Sequence, residues 1–410
     1  MSSRGCQARL RAALKEAGGA IGFGTWMRIA LYDPECGYYM QDREKIGPRG
    51  DFYTSSNVGA VYGAFWARVW TRRFETRRAK ARSSWHVDGP GGSDIESEAP
   101  ETYGDFWVIE LGAGDGRFAA SALDALSEER ADVYRRLRYI AVEASSAHAE
   151  RLLQRTKAHA SRVTVVSDIA ELERLQLQRT DDDARFASPP VKARPEVVLF
   201  ANEFYDAHPV ERLIRRGGAY YWTVVRETGT GFRLDWSKDV PPAVLAYAER
   251  YGHHFPDDHV FEAPLSGLET YRTLTARFPH GLFITVDYGL DFAELAVPAR
   301  RNGTVVGFRH HALREDWFDH PGEMDITAWV PFEAYREAGE AAGLTTLAYT
   351  TQGAYLAQNG IFDFLRETLA DEASRDPFHP KARQNRAVRM LIAPEGFGAA
   401  FRVLVQAGEP

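Results

Sequence analysis

The densest chemistry in the chain lies in Ala201-Asn202-Glu203-Phe204-Tyr205-Asp206-Ala207-His208-Pro209, directly after an apolar run at 197–200. Asn202, Glu203, Asp206 and His208 are packed so closely that they share one locale. Two carboxylates and an amide suit a cationic or amino substrate held by charge-assisted hydrogen bonds. They also suit general-base work on a nucleophile. A second cluster, Glu110-Leu111-Gly112-Ala113-Gly114-Asp115-Gly116, separates an apolar run at 106–111 from a helical pattern at 118–126.

That second cluster reads G-x-G-x-G. The dinucleotide fingerprint is G-x-G-x-x-G, whose glycines let backbone approach a pyrophosphate at a helix N-terminus. Here the third glycine falls one residue early, and Asp115 sits inside the turn, where a carboxylate would repel a pyrophosphate. A ligand with no phosphate and a cationic end fits better. S-adenosylmethionine is such a ligand, with an ammonium, a sulfonium and a carboxylate that can take helix N-terminal amides. Methyl transfer from it is an in-line displacement, which needs an aligned nucleophile and sometimes a base. Glu143, after a run at 139–142, is placed to accept two ribose hydroxyls. Asp168, after a run at 163–166, either meets an adenine amine or caps the helix that follows. His310 and His311 lie beside Arg309, in a polar loop or with His311 in a catalytic role. Without metal-ligand spacing, no metal site is expected.

These residues need a scaffold, and the pattern supplies one. Apolar runs at 106–111, 139–142, 163–166, 197–200 and 282–286 alternate with helical patterns at 118–126 and 146–156. The alternation predicts an α/β fold with a parallel, doubly wound sheet, whose ligands sit outside the carboxyl ends of the strands. The fifth run leads into Asp287-Tyr288-Gly289. Between the fourth and fifth, segments 211–215, 219–227 and 231–236 alternate like antiparallel strands, followed by a helix at 266–278. Helices are expected at 6–17, 25–31, 58–79 and 332–342, and further strands at 303–308, 345–350 and 401–405. The expected organisation is an N-terminal helical segment (1–82), a disordered insertion (83–102), a first core part (103–210), a substrate-side α+β insertion (211–280) and a second core part (281–410).

Composition narrows the function classes. The 410 residues are 44% hydrophobic and 26% charged, ordinary for a globular chain, and the net charge is -7. That balance argues against a general nucleic-acid binder. No run of 18 apolar residues is present, so no membrane-spanning helix is expected. Cys6 and Cys36 are too few for a disulfide scaffold or a four-cysteine zinc site, which makes a reducing compartment the default. The basic N-terminus lacks the apolar stretch of a secretory signal and reads as an ordinary first helix rather than the tip of a transit peptide. A bacterial cytoplasmic location is therefore favoured over the mitochondrial matrix.

With these residues in view, the chain resembles the MidA family of S-adenosylmethionine-dependent methyltransferases. The resemblance runs from about Phe23 to Leu404. It rests on several motifs in order: Ala30-Leu31-Tyr32-Asp33-Pro34 with Gly37-Tyr38-Tyr39, Gly50-Asp51-Phe52 with Thr54, the glycine turn, Asn202-Glu203 with Asp206-Ala207 and Pro209-Val210, Asp287-Tyr288-Gly289, Gly303-Thr304, Gly322-Glu323 with Asp325-Ile326-Thr327, and Thr351-Gln352-Gly353. It implies a Rossmann-like, seven-stranded class I methyltransferase sheet and S-adenosyl-L-methionine as methyl donor. Gly50, Asp51, Thr54, Glu110, Gly112, Gly114, Gly116, Glu143 and Asp168 would then line the cofactor site. Asn202, Glu203 and Asp206 would face the acceptor, which in the family's characterised member is a protein arginine. The chain departs from the family pattern at Ser55-Ser56-Asn57, His208 and Trp329. These departures bear on the acceptor, so three readings stay open: a protein methyltransferase, a methyltransferase of a small molecule, and a non-catalytic assembly factor that binds the cofactor. A homodimer is possible under each.

Overall fold

The computed structural model describes residues 2–42, 58–83, 106–177, 195–309, 312–314, 316–367 and 379–409. The loop with Gly50, Asp51, Thr54 and Ser55-Ser56-Asn57 lies outside the described residues. So do His310, His311 and nearly all of the 83–102 insertion.

Helix α1 is Ser2–Glu16, α2 is Phe23–Tyr32 and α3 is Ala60–Ser83. The alternating core begins with β1 (Phe106–Leu111), α4 (Arg117–Glu129), β2 (Leu137–Val142), α5 (Ser146–Arg155), β3 (Val163–Val166), α6 (Ile169–Leu177) and β4 (Glu196–Asn202). Then come β5 (Glu211–Arg216), β6 (Ala219–Thr228), β7 (Gly231–Ser237), α7 (Pro242–Tyr251), β8 (Val260–Ala263) and α8 (Leu265–Arg277). The chain returns to the core with β9 (Leu282–Leu290), β10 (Val306–Arg309), β11 (Asp325–Thr327), α9 (Phe332–Ala341), β12 (Leu344–Thr351), α10 (Gln352–Gln358), α11 (Pro380–Ile392) and β13 (Phe401–Gly408).

The main sheet runs β12-β13-β9-β4-β1-β2-β3, with the two-residue strand Val330–Pro331 alongside β9. The pairs among β9, β4, β1, β2 and β3 are parallel. Strand β13 is antiparallel to both β9 and β12. The order reverses between β1 and β4, so the carboxyl ends of these strands open a crevice. The central strands are apolar on both faces, as helices on both sides require. One face packs Tyr62, Trp66 and Trp70 of α3 against Phe118, Phe200 and Phe401. The other packs Tyr247, Tyr271 and Tyr335 against Leu199, Phe283 and Leu404.

The expected α/β architecture and seven-stranded sheet are present. The 211–237 region forms the expected antiparallel strands, which also pair with Ile21–Gly22 and β8. Two details depart from the reading. The strand expected at 303–308 starts only at Val306, because Gly303 takes a left-handed φ of 84° and Thr304 turns in to the buried Glu262 carboxylate. The cysteines are not isolated thiols: Cys6 and Cys36 form a disulfide with Cα atoms 5.3 Å apart. This pairing removes the ground for inferring a reducing compartment from the cysteine count. It also ties α1 to the segment that carries Tyr38 and Tyr39. Among the described residues, no helix is long and apolar enough to cross a membrane.

Candidate active site

A cavity of about 480 Å³ opens at the carboxyl ends of β1, β2, β3, β4 and β9. Its wall includes Glu110, Gly112, Gly114, Glu143, Asp168, Asn202, Glu203 and Asp206. Eight candidate residues, scattered through a hundred positions of sequence, are thus brought together. Gly116 lies at the start of α4, just behind the turn, where a Cβ would sit 2.7 Å from the Leu152 backbone.

The glycine turn has the shape its sequence demands. Gly112, Gly114 and Gly116 have φ of 67°, 56° and 79°, a left-handed region that side chains with a Cβ rarely adopt. A Cβ on Gly112 would meet the Phe204 ring at 2.9 Å. The turn's N–H groups are used within the protein. Gly112 and Ala113 donate to the Val142 carbonyl, Gly116 to the Ala113 carbonyl and Arg117 to the Asp115 carboxylate. Gly114 donates to Glu143 Oε2 at 2.8 Å, and Ser145 donates to Glu143 Oε1 at 2.8 Å. A pyrophosphate needs such donors for itself, and five of the turn's N–H groups are already engaged within the protein. Asp115 contributes less to that discrimination than its position suggests. Its carboxylate is paired with Arg117 at 3.2 Å and Arg155 at 2.7 Å, which compensate its charge.

Glu110 is buried and accepts the Tyr139 hydroxyl at 2.7 Å. Burial pushes its carboxyl up to about 8. Asp168 caps the helix that follows, its Oδ1 accepting the Glu171 N–H at 2.7 Å, and it also borders the cavity.

At the other end of the cavity, Asn202, Glu203 and Asp206 stand with Asp325, Tyr32, Tyr39 and Tyr288. Tyr62 donates to Asn202 Oδ1 at 2.7 Å, and the Asn202 amide donates to Glu203 Oε1 at 3.0 Å. Glu203 has a φ of 51°, unusual for a residue with a side chain. Asp206 and Asp325 are buried, and Tyr39 donates to Asp325 Oδ1 at 2.5 Å. Burial, reinforced by Asp287, Asp325 and Glu203, pushes the Asp206 carboxyl well above the usual carboxylate range. His208 also borders the cavity, and burial holds its imidazole down at about 4, so the ring is neutral. His148 also borders the cavity. The tyrosines, Asp325 and His148 carry no local sequence signal that marks them as site residues. Tyr32, Tyr39 and Asp325 do fall inside segments that carry the family resemblance.

A doubly wound sheet, a phosphate-free glycine turn and an acid at the end of the second strand define a class I S-adenosylmethionine-dependent methyltransferase. The chain belongs to the family of S-adenosyl-L-methionine-dependent methyltransferases whose profile matches residues 96–350. It is similar over 99% of its length to a crystal structure from Burkholderia thailandensis with S-adenosyl-homocysteine bound, at a TM-score of 0.76 and 26% identity, covering 92% of that chain. Among curated relatives, it is 26% identical over 82% of its length to the mitochondrial protein arginine methyltransferase NDUFAF7 homolog of Drosophila melanogaster, covering 70% of that protein. It is 22% identical over 93% of its length to the Homo sapiens protein arginine methyltransferase NDUFAF7, covering 79% of that protein.

Proposed function

We propose that the enzyme methylates a nitrogen of a protein arginine. The observation that carries this reading is the acidic, aromatic end of the cavity. Asp206 and Asp325 are buried there, Glu203 is beside them, and Tyr32, Tyr39 and Tyr288 form the walls. Several carboxylates in a desolvated space repel one another, so the site favours a cation that neutralises them. A planar guanidinium binds carboxylates edge-on and stacks on aromatic faces. The curated relatives named as arginine methyltransferases support the same reading.

Bound S-adenosylmethionine supplies an electrophilic methyl carbon on a sulfonium. In this reading Gly112, Gly114 and Gly116 give the backbone room for it, Glu143 takes the ribose hydroxyls, and Glu110 and Asp168 border it. The Gly50, Asp51 and Thr54 loop is assigned to the same cofactor. Asn202 and Glu203 orient the guanidinium. Asp206, with a carboxyl made more basic by burial, accepts the proton that the guanidinium loses as its nitrogen is methylated. His311 is retained as a further candidate for that proton.

The test compares Glu203→Gln and Asp206→Asn with the wild type. Both variants are expected to bind S-adenosylhomocysteine within about 3-fold of wild type by calorimetry and to lose methyl transfer by roughly 100-fold or more. Full transfer in either variant would remove that residue from the mechanism.

A further inference from the structure

We propose that Asp287 is the positioning residue of the acceptor site: its carboxylate holds the 203–206 turn in the shape that aims Glu203 and Asp206 into the cavity. This rests on the acidic end of the cavity being where the acceptor binds. Asp287 is fully buried near the end of β9 and does not border the cavity. Its Oδ2 accepts three consecutive backbone N–H groups, from Phe204 at 3.2 Å, Tyr205 at 2.8 Å and Asp206 at 3.3 Å. Its Oδ1 accepts the N–H of Tyr288 at 2.8 Å. Four donors converge on one carboxylate, an arrangement that only the ionised, acceptor-only form satisfies throughout.

The turn needs this support. Glu203 sits at a φ of 51°, a left-handed conformation that a residue with a Cβ rarely adopts. Other contacts hold the turn through its ends and its carbonyls. Glu203 donates to the Val286 carbonyl at 2.9 Å, Ala328 donates to the Asp206 carbonyl at 2.9 Å, Tyr32 donates to the Ala207 carbonyl at 3.0 Å, His208 donates its N–H to the Tyr205 carbonyl at 3.2 Å, and the His208 ring meets the Phe204 carbonyl at 2.9 Å. The N–H groups of Phe204, Tyr205 and Asp206 go to Asp287. Strand alternation then separates two tasks. Asp287 points to the turn, while Tyr288 points the other way, packs its ring 4.0 Å from Phe401 and borders the cavity.

The titratable groups that face Asp287 among the described residues are Asp206 and Tyr205 on the turn, Tyr288 on its own strand and Tyr335 on α9. Arg402 on β13 stands opposite Asp287 in the strand register, with its guanidinium paired to Glu294 at 2.8 Å. Burial pushes the Asp287 carboxyl up to about 7 against the pull of its N–H donors. Protonation below that range therefore removes the charge that gathers the three N–H groups.

The test uses the full chain with Asp287→Asn, and Asp287→Glu as a second variant that keeps the charge but displaces it. Amide hydrogen exchange is compared at 203–207 and at 112–116. Transfer of labelled methyl from S-adenosylmethionine to any acceptor in a lysate lacking the gene is followed between pH 6 and 9. S-adenosylhomocysteine affinity is measured alongside. Exchange at 203–207 should rise at least 10-fold with 112–116 unchanged. Transfer should fall at least 30-fold, affinity should stay within 3-fold, and the rise of activity from pH 6 to 8 should flatten in Asp287→Asn. Should that variant not fold, Asp287→Glu should show the same exchange pattern and a smaller loss. Unchanged exchange at 203–207, transfer within 3-fold of wild type, or a matching loss of S-adenosylhomocysteine affinity would each overturn the proposal. Wild-type label found only in small molecules would refute the arginine reading, and the exchange comparison would still decide the role of Asp287.

Discussion

The Glu143 carboxylate accepts the Gly114 N–H at 2.8 Å. One hydrogen bond thus links the acid at the end of β2 to the centre of the glycine turn at the end of β1. It shapes the turn and occupies a donor that a nucleotide phosphate would require. Replacing Glu143 with Ala should weaken S-adenosylhomocysteine binding by roughly 10- to 100-fold, the scale of about 1.5–3 kcal/mol for a hydrogen bond to a charged group. Isothermal calorimetry reads this directly. An affinity within 2-fold of wild type would show that Glu143 shapes the turn without touching the ligand.

Gly114 sits at a φ of 56° on the cavity wall. A β-branched residue is a steric outlier there and would also project into ligand space. Gly114→Val is expected to abolish S-adenosylhomocysteine binding. Calorimetry showing unchanged affinity would contradict the assignment of this turn to the cofactor.

Glu110 ties stability to pH. Its folded-state carboxyl lies at about 8, against a usual value of 4.5, because burial disfavours the charge. A raised acid of this kind contributes stability that is complete below about pH 4.5 and is lost as pH rises towards 8, by up to about 1.4 kcal/mol per pH unit. Glu110→Gln keeps an oxygen for the Tyr139 hydroxyl and removes the titration. The stability of Glu110→Gln relative to wild type should therefore improve between pH 5 and pH 8. Urea unfolding at the two pH values checks it, and a constant difference would show that Glu110 does not titrate in this window.

The Cys6–Cys36 bond closes a loop with a sequence separation of 30 residues. Chain-entropy arguments give such a cross-link about 3–4 kcal/mol of stabilisation. Urea unfolding with and without dithiothreitol should show that loss on reduction, and the Cys6→Ser, Cys36→Ser double variant should be insensitive to the reductant. Identical curves for the wild type would mean that the bond is absent in solution.

Much of this fold is written locally. Buried parallel strands such as β1 and β4 carry unbroken apolar runs at 106–109 and 197–201, and the glycines between β1 and α4 mark their own backbone. One end of the cavity is legible for the same reason: Gly112, Gly114, Glu143 and Asp168 lie within three residues of strand ends. The acceptor end was legible only in part. Asn202, Glu203 and Asp206 stand out by composition, but Tyr39 meets Asp325 across 286 residues, and no local pattern announces that contact. Asp287 looks like one more acid in a turn until the structure shows three N–H groups converging on it. Helix α7 and strand β8 are not legible because their order comes from long-range contacts: β8 pairs with β5, and Arg250 and Tyr251 of α7 meet Glu337 of α9. Two cysteines far apart gave no sign that α1 would bring them together.

The measurement that tests the central claim most directly follows the methyl group. Purified enzyme, methyl-labelled S-adenosylmethionine and lysate from a strain lacking the gene are combined, protein is separated from small molecules, and labelled protein is hydrolysed to amino acids. The expected result is label in protein, recovered as methylarginine and absent with Glu203→Gln. Label confined to the small-molecule fraction, or recovered from protein on a residue other than arginine, would contradict the account.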